Sequence, residues 1–252
     1  MGVAILDNKI FIIFDYSCVV CIYQADFLEM IIDEIRIPDM QFPQDIVTCS
    51  KTEKLYIADM QKSQKGCVWR LSTKGDFDVY LPSSQEPEGL WPRSLAAAHG
   101  HLLVVSHPNV LLVYGVGGRR VSKVKLPRDM EVQHAVATDH STFVVGLSKA
   151  ENTLVLLQEV DIMGTTVRRC TFEFKLPVHL ALDPFGNIFV ADKCDNKVVV
   201  LDGCLGVKRV LLTDKEVCEP RRLHLLPHLG QLYMYVCEVR NASLWIVEIL
   251  QA

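Results

Sequence analysis

The sequence predicts an all-β protein, a six-bladed β-propeller, and three observations support this. Short apolar segments of strand character recur along the 252 residues at intervals in the mid-forties. Gly, Pro, Asn and Asp separate them at the positions where turns need unusual backbone angles. Half of the residues are hydrophobic, which is enough for a large core. Repeats of this length, each with about four strands, are typical of propeller blades.

The segment from Pro177 to Thr213 is the clearest copy, PVHLALDPFGNIFVADKCDNKVVVLDGCLGVKRVLLT. It predicts four strands, with turns at Pro184–Asn187 and at Asp202-Gly203. The two middle strands are nearly continuous runs of β-branched and aromatic residues, so we expect both of their faces to be buried. One such sheet cannot cover its own apolar faces and needs neighbouring copies.

The second strand of that copy, IFVAD, has a counterpart in each of five other segments. Their central residues are separated by 45, 47, 40, 46 and 44 positions. These residues are Phe11, Tyr56, Leu103, Phe143, Phe189 and Tyr233. We therefore predict one domain spanning residues 1–252, with blades at about 3–37, 43–81, 93–126, 132–174, 177–213 and 220–250.

Two segments deserve separate predictions. Residues Phe27–Ile35 also fit an amphipathic helix, because Leu28, Ile31 and Ile35 share a helical face, but their place in the repeat favours an outer strand.

The sixth copy supplies only three strands and ends with SLWIVEI, so we expect the last blade to lack its outer strand. An apolar edge of this kind is normally covered. We therefore expect the chain to be the C-terminal part of a longer protein.

The segment PVHLALDPFGNIFVADKCDNKVVVLD resembles an NHL repeat, whose general form is a short apolar strand, D-x-x-G-N, a V-A-D strand and N-x-[KR]-[VI]. DIVTCSKTEKLYIADMQKSQKGCVWRL fits it more loosely, and the other four copies fit in hydrophobic pattern. The resemblance implies an NHL/TolB-like propeller, similar to those that follow RING, B-box and coiled-coil segments in tripartite-motif ubiquitin ligases and to uncharacterised invertebrate relatives. The chain has no RING or B-box cysteine pattern, so ligase activity is not implied. The Trp-Asp signature of WD repeats is also absent.

Composition indicates which kinds of partner and which cellular location are expected. A net charge of −4 does not indicate a polyanion binder, and no DNA binding is expected. The nine cysteines lie mostly in strand-like segments, where buried reduced thiols are typical, and we expect a cytoplasmic location. Cys18 and Cys21 have a C-x-x-C spacing, but on a strand this spacing points the thiols to opposite faces. The N-terminal segment has neither a signal-peptide pattern nor a long uncharged span, so no membrane association is expected.

Polar residues occupy one equivalent position at the start of the innermost strands, where they would line the central channel. These residues are Asp45, Ser94, His134, His179 and Arg222. Two imidazoles and a carboxylate could bind a metal ion, as in metal-dependent propeller enzymes. The competing interpretation is that they satisfy backbone groups and hold ordered water. We favour the second interpretation and expect neither a metal nor another cofactor.

The loops that enter the second and third copies each place an aromatic residue before a proline. Phe42 in QFPQD and Trp91 in LWPRS would lie on the same loop face, where large aromatics are effective interface anchors. The alternative is that each ring packs between blades. Lys193, Arg221 and Arg222 are further candidates for partner binding on this face.

These observations predict a non-catalytic protein-binding or scaffold module, such as the substrate-recognition part of a tripartite-motif-like ubiquitin ligase. RNA binding is the first alternative, but the loop face has no overall cationic excess. A metal-dependent lactonase-like or lyase-like enzyme is the second alternative. No serine has a nucleophile-elbow context, and we recognise no other catalytic set.

Overall fold

The computed structural model describes residues 2–24, 27–61, 66–82, 84, 86, 89–106, 109–138, 140–149, 154–175, 178–228, 231–238 and 244–249. These residues form 23 β-strands and no α-helix. The prediction of an all-β protein is therefore confirmed. No helix in the described part of the chain has the length and apolar character needed to span a membrane.

The strands form six antiparallel sheets in chain order, which is the arrangement of a six-bladed β-propeller. The first three sheets contain β1 (Gly2–Leu6), β2 (Lys9–Ile13), β3 (Val19–Gln24) and β4 (Phe27–Arg36); β5 (Pro43–Cys49), β6 (Lys54–Asp59), β7 (Cys67–Ser72) and β8 (Phe77–Leu81); β9 (Pro92–Ala98), β10 (His101–Ser106), β11 (Val110–Gly115) and β12 (Arg120–Lys125). The other three contain β13 (Met130–Ala137), β14 (Phe143–Lys149), β15 (Leu154–Val160) and β16 (Thr166–Lys175); β17 (Val178–Leu182), β18 (Ile188–Asp192), β19 (Lys197–Leu201) and β20 (Val207–Leu212); β21 (Pro220–His228), β22 (Gln231–Glu238) and β23 (Leu244–Ile249).

The chain divides into two compact units, Met1–Lys125 and Leu126–Ala252, with three sheets in each. In the first unit, β5 contacts both β1 and β9; in the second, β17 contacts both β13 and β21. The first strands of successive sheets are therefore neighbours within each unit, while the later strands carry the chain outward.

The core of each unit lies between neighbouring sheets and is built mainly from second and third strands. In the first unit, Phe11 and Tyr56 are buried in two adjoining clusters. In the second, Phe143 and Phe189 are equally buried, and Val198–Leu201 in β19 is covered on both faces. This confirms the expectation that the β-branched middle strands are buried on both sides.

The turns follow the residue chemistry at most positions. Asp7 and Asn8 have φ values of 50° and 56° and form the two-residue connection between β1 and β2. Gly186 has a φ of 79° in the turn that ends at Asn187. The expected tight turn at Asp202-Gly203 is instead a longer loop: the Asp202 N–H donates to the Gly206 carbonyl at 2.8 Å, and Leu205, with a φ of 65°, adopts the left-handed conformation.

Two predictions about individual strands are also confirmed. Phe27–Arg36 is the outer strand β4, paired with β3 through two register irregularities, and is not a helix. The sixth sheet contains three strands in the described part of the chain, with β23 at its edge.

Candidate functional site: the loop surface of the first unit

In four sheets a buried polar side chain ends the second strand. We call these residues the strand-end acceptors. Three of them accept a hydrogen bond from a backbone N–H in the loop that enters the first strand of the same sheet, and the fourth accepts from Lys175, the last residue of β16. The four bonds are Phe42 N to Asp59 Oδ1 (2.7 Å), Trp91 N to Ser106 Oγ (3.1 Å), Lys175 N to Asp192 Oδ2 (3.1 Å) and Cys218 N to Glu238 Oε1 (2.6 Å). Buried polar groups need such partners, and here they fix the loops in place.

Asp59 shows how strongly one loop is held. Its carboxylate accepts hydrogen bonds from the backbone N–H groups of Gln41 at 3.1 Å and Phe42 at 2.7 Å, and from Trp69 Nε1 at 3.2 Å. Burial raises the pKa of Asp59, and the hydrogen bonds from Trp69, Phe42 and Gln41 partly offset that rise. Three donors on one fully buried carboxylate leave the backbone at Phe42 little freedom.

The side chain of Phe42 packs against Tyr16, from the loop between β2 and β3. Their ring centroids lie 4.9 Å apart at an interplanar angle of 83°, which is an edge-to-face contact. Tyr16 is 79% exposed and has a φ of 63°, which is uncommon for an aromatic residue. Ser17 N donates to the Phe14 carbonyl at 3.2 Å and closes the turn that presents the Tyr16 ring. We call Tyr16 and Phe42 the aromatic pair.

Trp91 occupies the position equivalent to Phe42 in the third sheet, as the sequence predicted, and its ring is half-buried. Sequence reasoning paired Phe42 with Trp91 and missed Tyr16. The available signal was the loop sequence FDYS, in which an aromatic follows directly after the Asp that ends the strand-like run. A contact between two separate loops is not visible in either loop alone.

The basic candidates lie in the second unit, beside acidic residues. Lys193 Nζ is 3.4 Å from Glu219 Oε2, while Asp195 accepts from Lys175 at 2.6 Å and from Lys197 at 2.9 Å. The hydrogen bonds from Lys175 and Lys197 lower the pKa of Asp195. Arg221 is exposed and Arg222 is half-buried at the start of β21. This surface carries paired charges instead of the cationic excess that phosphate binding requires.

Three of the five residues expected at the channel bond to the next sheet in the chain. We call them the inner-strand acceptors. Asp45 Oδ2 accepts from Leu95 N at 2.9 Å, His134 Nδ1 from Leu180 N at 3.2 Å, and His179 Nδ1 from Leu223 N at 3.2 Å. In each case the donor lies on the first strand of the following sheet. The expectation that these polar residues satisfy backbone groups therefore matches the geometry found at all three positions.

The two histidines belong to the second unit and lie against each other, with ring centroids 3.8 Å apart and tilted by 41°. A neutral imidazole that accepts at Nδ1 carries its proton at Nε2. Burial, followed by the charges of His134 and Arg222, holds the pKa of His179 well below its ordinary value. Coordination of a metal through Nε2 would place a proton on Nδ1, facing the N–H of Leu180 or Leu223, and would break that bond.

The remaining two channel candidates are Ser94, which is fully buried in the first unit, and Arg222, which follows a register shift in β21. Asp45, Ser94 and His134 follow shifts of the same kind in β5, β9 and β13, but β17 pairs regularly at His179. The irregularity recurs at the start of the first strands and turns these side chains out of simple alternation. Strand alternation alone could not have placed them.

Comparisons with known proteins identify the fold and nothing finer. No protein-family model and no curated protein sequence matches the chain. Among solved structures, a glucose dehydrogenase superposes with a TM-score of 0.70 at 12% identity, over 100% of this chain and 96% of that one.

Two further solved structures have different activities. A catalytically inactive virginiamycin B lyase from Staphylococcus aureus with quinupristin gives a TM-score of 0.66 at 14% identity, over 94% of this chain and 76% of that chain. A chain of the nidogen/laminin complex gives 0.66 at 12% identity, over 94% of this chain and 91% of that chain. At these identities the likeness shows the fold alone, and that fold serves enzymes and binding proteins alike.

Proposed function

We propose that this chain is a non-catalytic protein-binding module that recognises its partner through the loop surface of the first unit. The observation that carries the proposal is the aromatic pair: an exposed tyrosine ring in edge-to-face contact with Phe42, whose backbone is fixed by the buried Asp59. Rigid aromatic residues on the surface are the usual anchors of protein interfaces.

The aromatic pair is preorganised for binding. A ring that is 79% exposed gives up its contact with water when a partner covers it, and this apolar surface stabilises the complex. Because two backbone N–H groups of the loop carrying Phe42 already donate to Asp59, little conformational entropy is lost on binding. The Tyr16 hydroxyl adds a polar group at the end of the apolar ring, as is common at interfaces.

The finer assignment follows from the repeat pattern. D-x-x-G-N at Asp183–Asn187 and IFVAD in β18 support an NHL-type propeller. On this basis we propose a cytoplasmic scaffold, in particular the substrate-recognition part of a tripartite-motif-like ubiquitin ligase. In the turn between β17 and β18, Asp183 supports this pattern by accepting from the N–H groups of Phe185 and Asn187 at 2.9 and 2.7 Å.

The solved enzymes of this fold make a metal-dependent activity the rival class, and the histidine pair is where it would be detected. Since Nδ1 of each ring accepts a backbone hydrogen bond, we expect no stoichiometric transition metal at His134 and His179. Native mass spectrometry with one equivalent of zinc added should show no retained ion after desalting. A retained zinc that disappears in the double variant His134→Ala/His179→Ala would instead support the enzyme class.

The proposal is tested by quantitative affinity capture with isotope-labelled lysates. The test variant combines Tyr16→Asn with Phe42→Ala; asparagine tolerates the left-handed backbone at position 16, so the loop should keep its shape. The matched control is Phe185→Ala, which removes a ring that is 65% exposed on a turn of the second unit. We expect specific protein partners to be lost from the test variant and retained by the control.

Two results would contradict the proposal. The first is a set of captured proteins that does not differ between the test and control variants when both unfold at the wild-type temperature. The second is capture that depends on RNA. Such capture would be lost after nuclease treatment but would persist in untreated lysate at about 200 mM salt, where contacts driven by charge alone weaken steeply.

A further inference from the structure

We propose that the open edge of β23, in the sixth sheet, is a second protein-binding site that accepts an extended segment of a partner protein as an added antiparallel strand. This site lies on the second unit and does not involve the aromatic pair. A failure of this proposal would therefore leave the function proposed above unaffected, and the reverse also holds.

β23 differs from the other third strands in what pairs with its outer side. In five sheets a fourth strand pairs with the third, whereas no other described strand pairs with β23 on its outer side. Val198–Leu201 in β19 is at most 4% exposed. In β23, Trp245 is 50% exposed and Ile246 is 49% exposed. The strand has the apolar sequence of a covered third strand but the exposure of an edge.

The edge of β23 also lacks the features that usually prevent strand addition. Natural edge strands are commonly interrupted by proline, lysine or a bulge. The six residues of β23 include neither proline nor lysine, and the strand pairs with β22 from Leu244 to Ile249 without a register shift. Its outward N–H and C=O groups are therefore regularly spaced and can form a ladder with another strand.

The strands that cover the equivalent edge in the other five sheets indicate the occupant. Each is an antiparallel strand of five to ten residues. One of them, β20, has the sequence VKRVLL, in which two adjacent basic residues, Lys208 and Arg209, lie among apolar ones. β23 carries one charge, the exposed Glu248, so a strand with apolar residues and a nearby Lys or Arg is complementary to it. Main-chain hydrogen bonds supply much of the affinity in such strand addition.

A strand probe taken from the molecule itself tests this proposal. The probe is a synthetic peptide with the sequence of residues 206–213, GVKRVLLT, added to the ¹⁵N-labelled full chain. We expect amides of Leu244–Ile249 that point away from β22 to exchange their hydrogens at least about tenfold more slowly, since a tenfold change corresponds to about 1.4 kcal/mol. The control peptide has identical side chains but is N-methylated at alternate residues, which removes its ladder donors, and it should give no protection.

A pair of protein variants complements the peptides. Ile246→Lys places a charge on the edge and should weaken the probe at least about tenfold, in line with the role of lysine on natural edges. Val210→Lys introduces the same charge at a residue that is 52% exposed on β20 and should leave binding unchanged. If Ile246→Lys does not fold, the two peptides compared on the wild-type chain still decide the matter.

Three results would overturn the proposal. The first is equal protection by the methylated and unmethylated peptides, because ladder hydrogen bonds would then not be involved. The second is protection of the outward β23 amides without peptide that persists on dilution, which would mean that this chain covers its own edge. The third is protection without peptide that disappears on dilution, which would identify a second copy as the occupant.

Discussion

The loops of the two units are held by the same hydrogen-bonding device but present different chemistry. In the first unit, the loop held by Asp59 presents Phe42 beside Tyr16. In the second, Asp192 holds the end of β16, which presents Lys175, ion-paired with Asp195. An exposed aromatic ring gains free energy when a partner covers it, whereas an exposed ion pair is already solvated and is worth little. A rigid loop is therefore shared by both units, and its exposed side chains decide where recognition takes place.

The two units also differ at the inner-strand acceptors. The first unit uses a carboxylate, Asp45, to accept from the following sheet, while the second uses the imidazoles of His134 and His179. An imidazole loses its acceptor when it is protonated, whereas a carboxylate keeps acceptor oxygens. Because burial holds the pKa of His179 well below its ordinary value, its bond to Leu223 N is kept until the pH falls well below 6.5.

The largest expected effect tests whether the strand-end acceptors are equivalent. Asp59→Asn and Asp192→Asn should each lower the free energy of unfolding by about 2–3 kcal/mol, because the amide NH₂ then faces a backbone N–H inside the core. Urea unfolding monitored by circular dichroism measures this. The two variants should differ in the amount of partner protein they capture, because only Asp59→Asn should weaken capture. A stability loss confined to one of them would show that the device is not shared.

The second prediction concerns pH. The folded state holds the pKa of His179 well below the ordinary value of 6.5, so the unfolded chain binds a proton that the folded chain excludes. The stabilising contribution is complete above pH 6.5 and is lost as the pH falls from 6.5 towards the folded-state pKa. His179→Asn keeps an acceptor for Leu223 N but cannot be protonated, so its stability should fall less over this range.

The matched control for that measurement is His140→Asn, which removes an exposed histidine in the same unit. Its unfolding free energy, measured by urea titration between pH 7.5 and 5 in steps, should follow the wild-type curve. If His179→Asn also follows the wild-type curve, burial of the neutral imidazole does not contribute to acid sensitivity.

The smallest expected effect concerns the charged surface of the second unit. Asp195→Asn removes the partner of two lysines. The pair with Lys175 is exposed and the pair with Lys197 is half-buried, so after allowance for screening the loss of stability should be at most about 1 kcal/mol. The loss should shrink in 0.5 M salt, where the Debye length is only a few ångström. A fluorescent single-stranded RNA should bind neither protein at about 200 mM salt. RNA binding by the wild type at this salt concentration would indicate that the charged surface of the second unit, and not the aromatic surface of the first, is the binding site.

The features that the sequence predicted well are local ones. The recurrence of IFVAD-like strands and most of the turn residues between strands are carried by short segments, so the six sheets could be predicted, including the last, which has three strands in the described part of the chain. Phe42 and Trp91 were correctly placed at equivalent loop positions for the same reason. The first-unit site was only partly predicted, because the contact between Tyr16 and Phe42 joins two loops whose separation depends on tertiary packing.

The inner strands illustrate a second limit. Asp45 and His134 were recognised as equivalent, but register shifts just before them decide where their side chains point. A bulge adds one residue without a distinctive sequence, so the donors Leu95 and Leu180 could not be named in advance.

The inner-strand bonds also bear on how repeated copies diverge. Each bond joins a side-chain acceptor to a backbone N–H, and every non-proline residue offers that donor whatever its side chain. The residue whose backbone N–H donates can therefore have any side chain except that of proline. The accepting side chain needs only an oxygen or an unprotonated nitrogen, since Asp45 and His134 both serve at this position. The geometry of this hydrogen bond can therefore stay the same while the residues that form it differ. Copies that have lost the recognisable repeat motif can still join their neighbours as the two motif-bearing copies do.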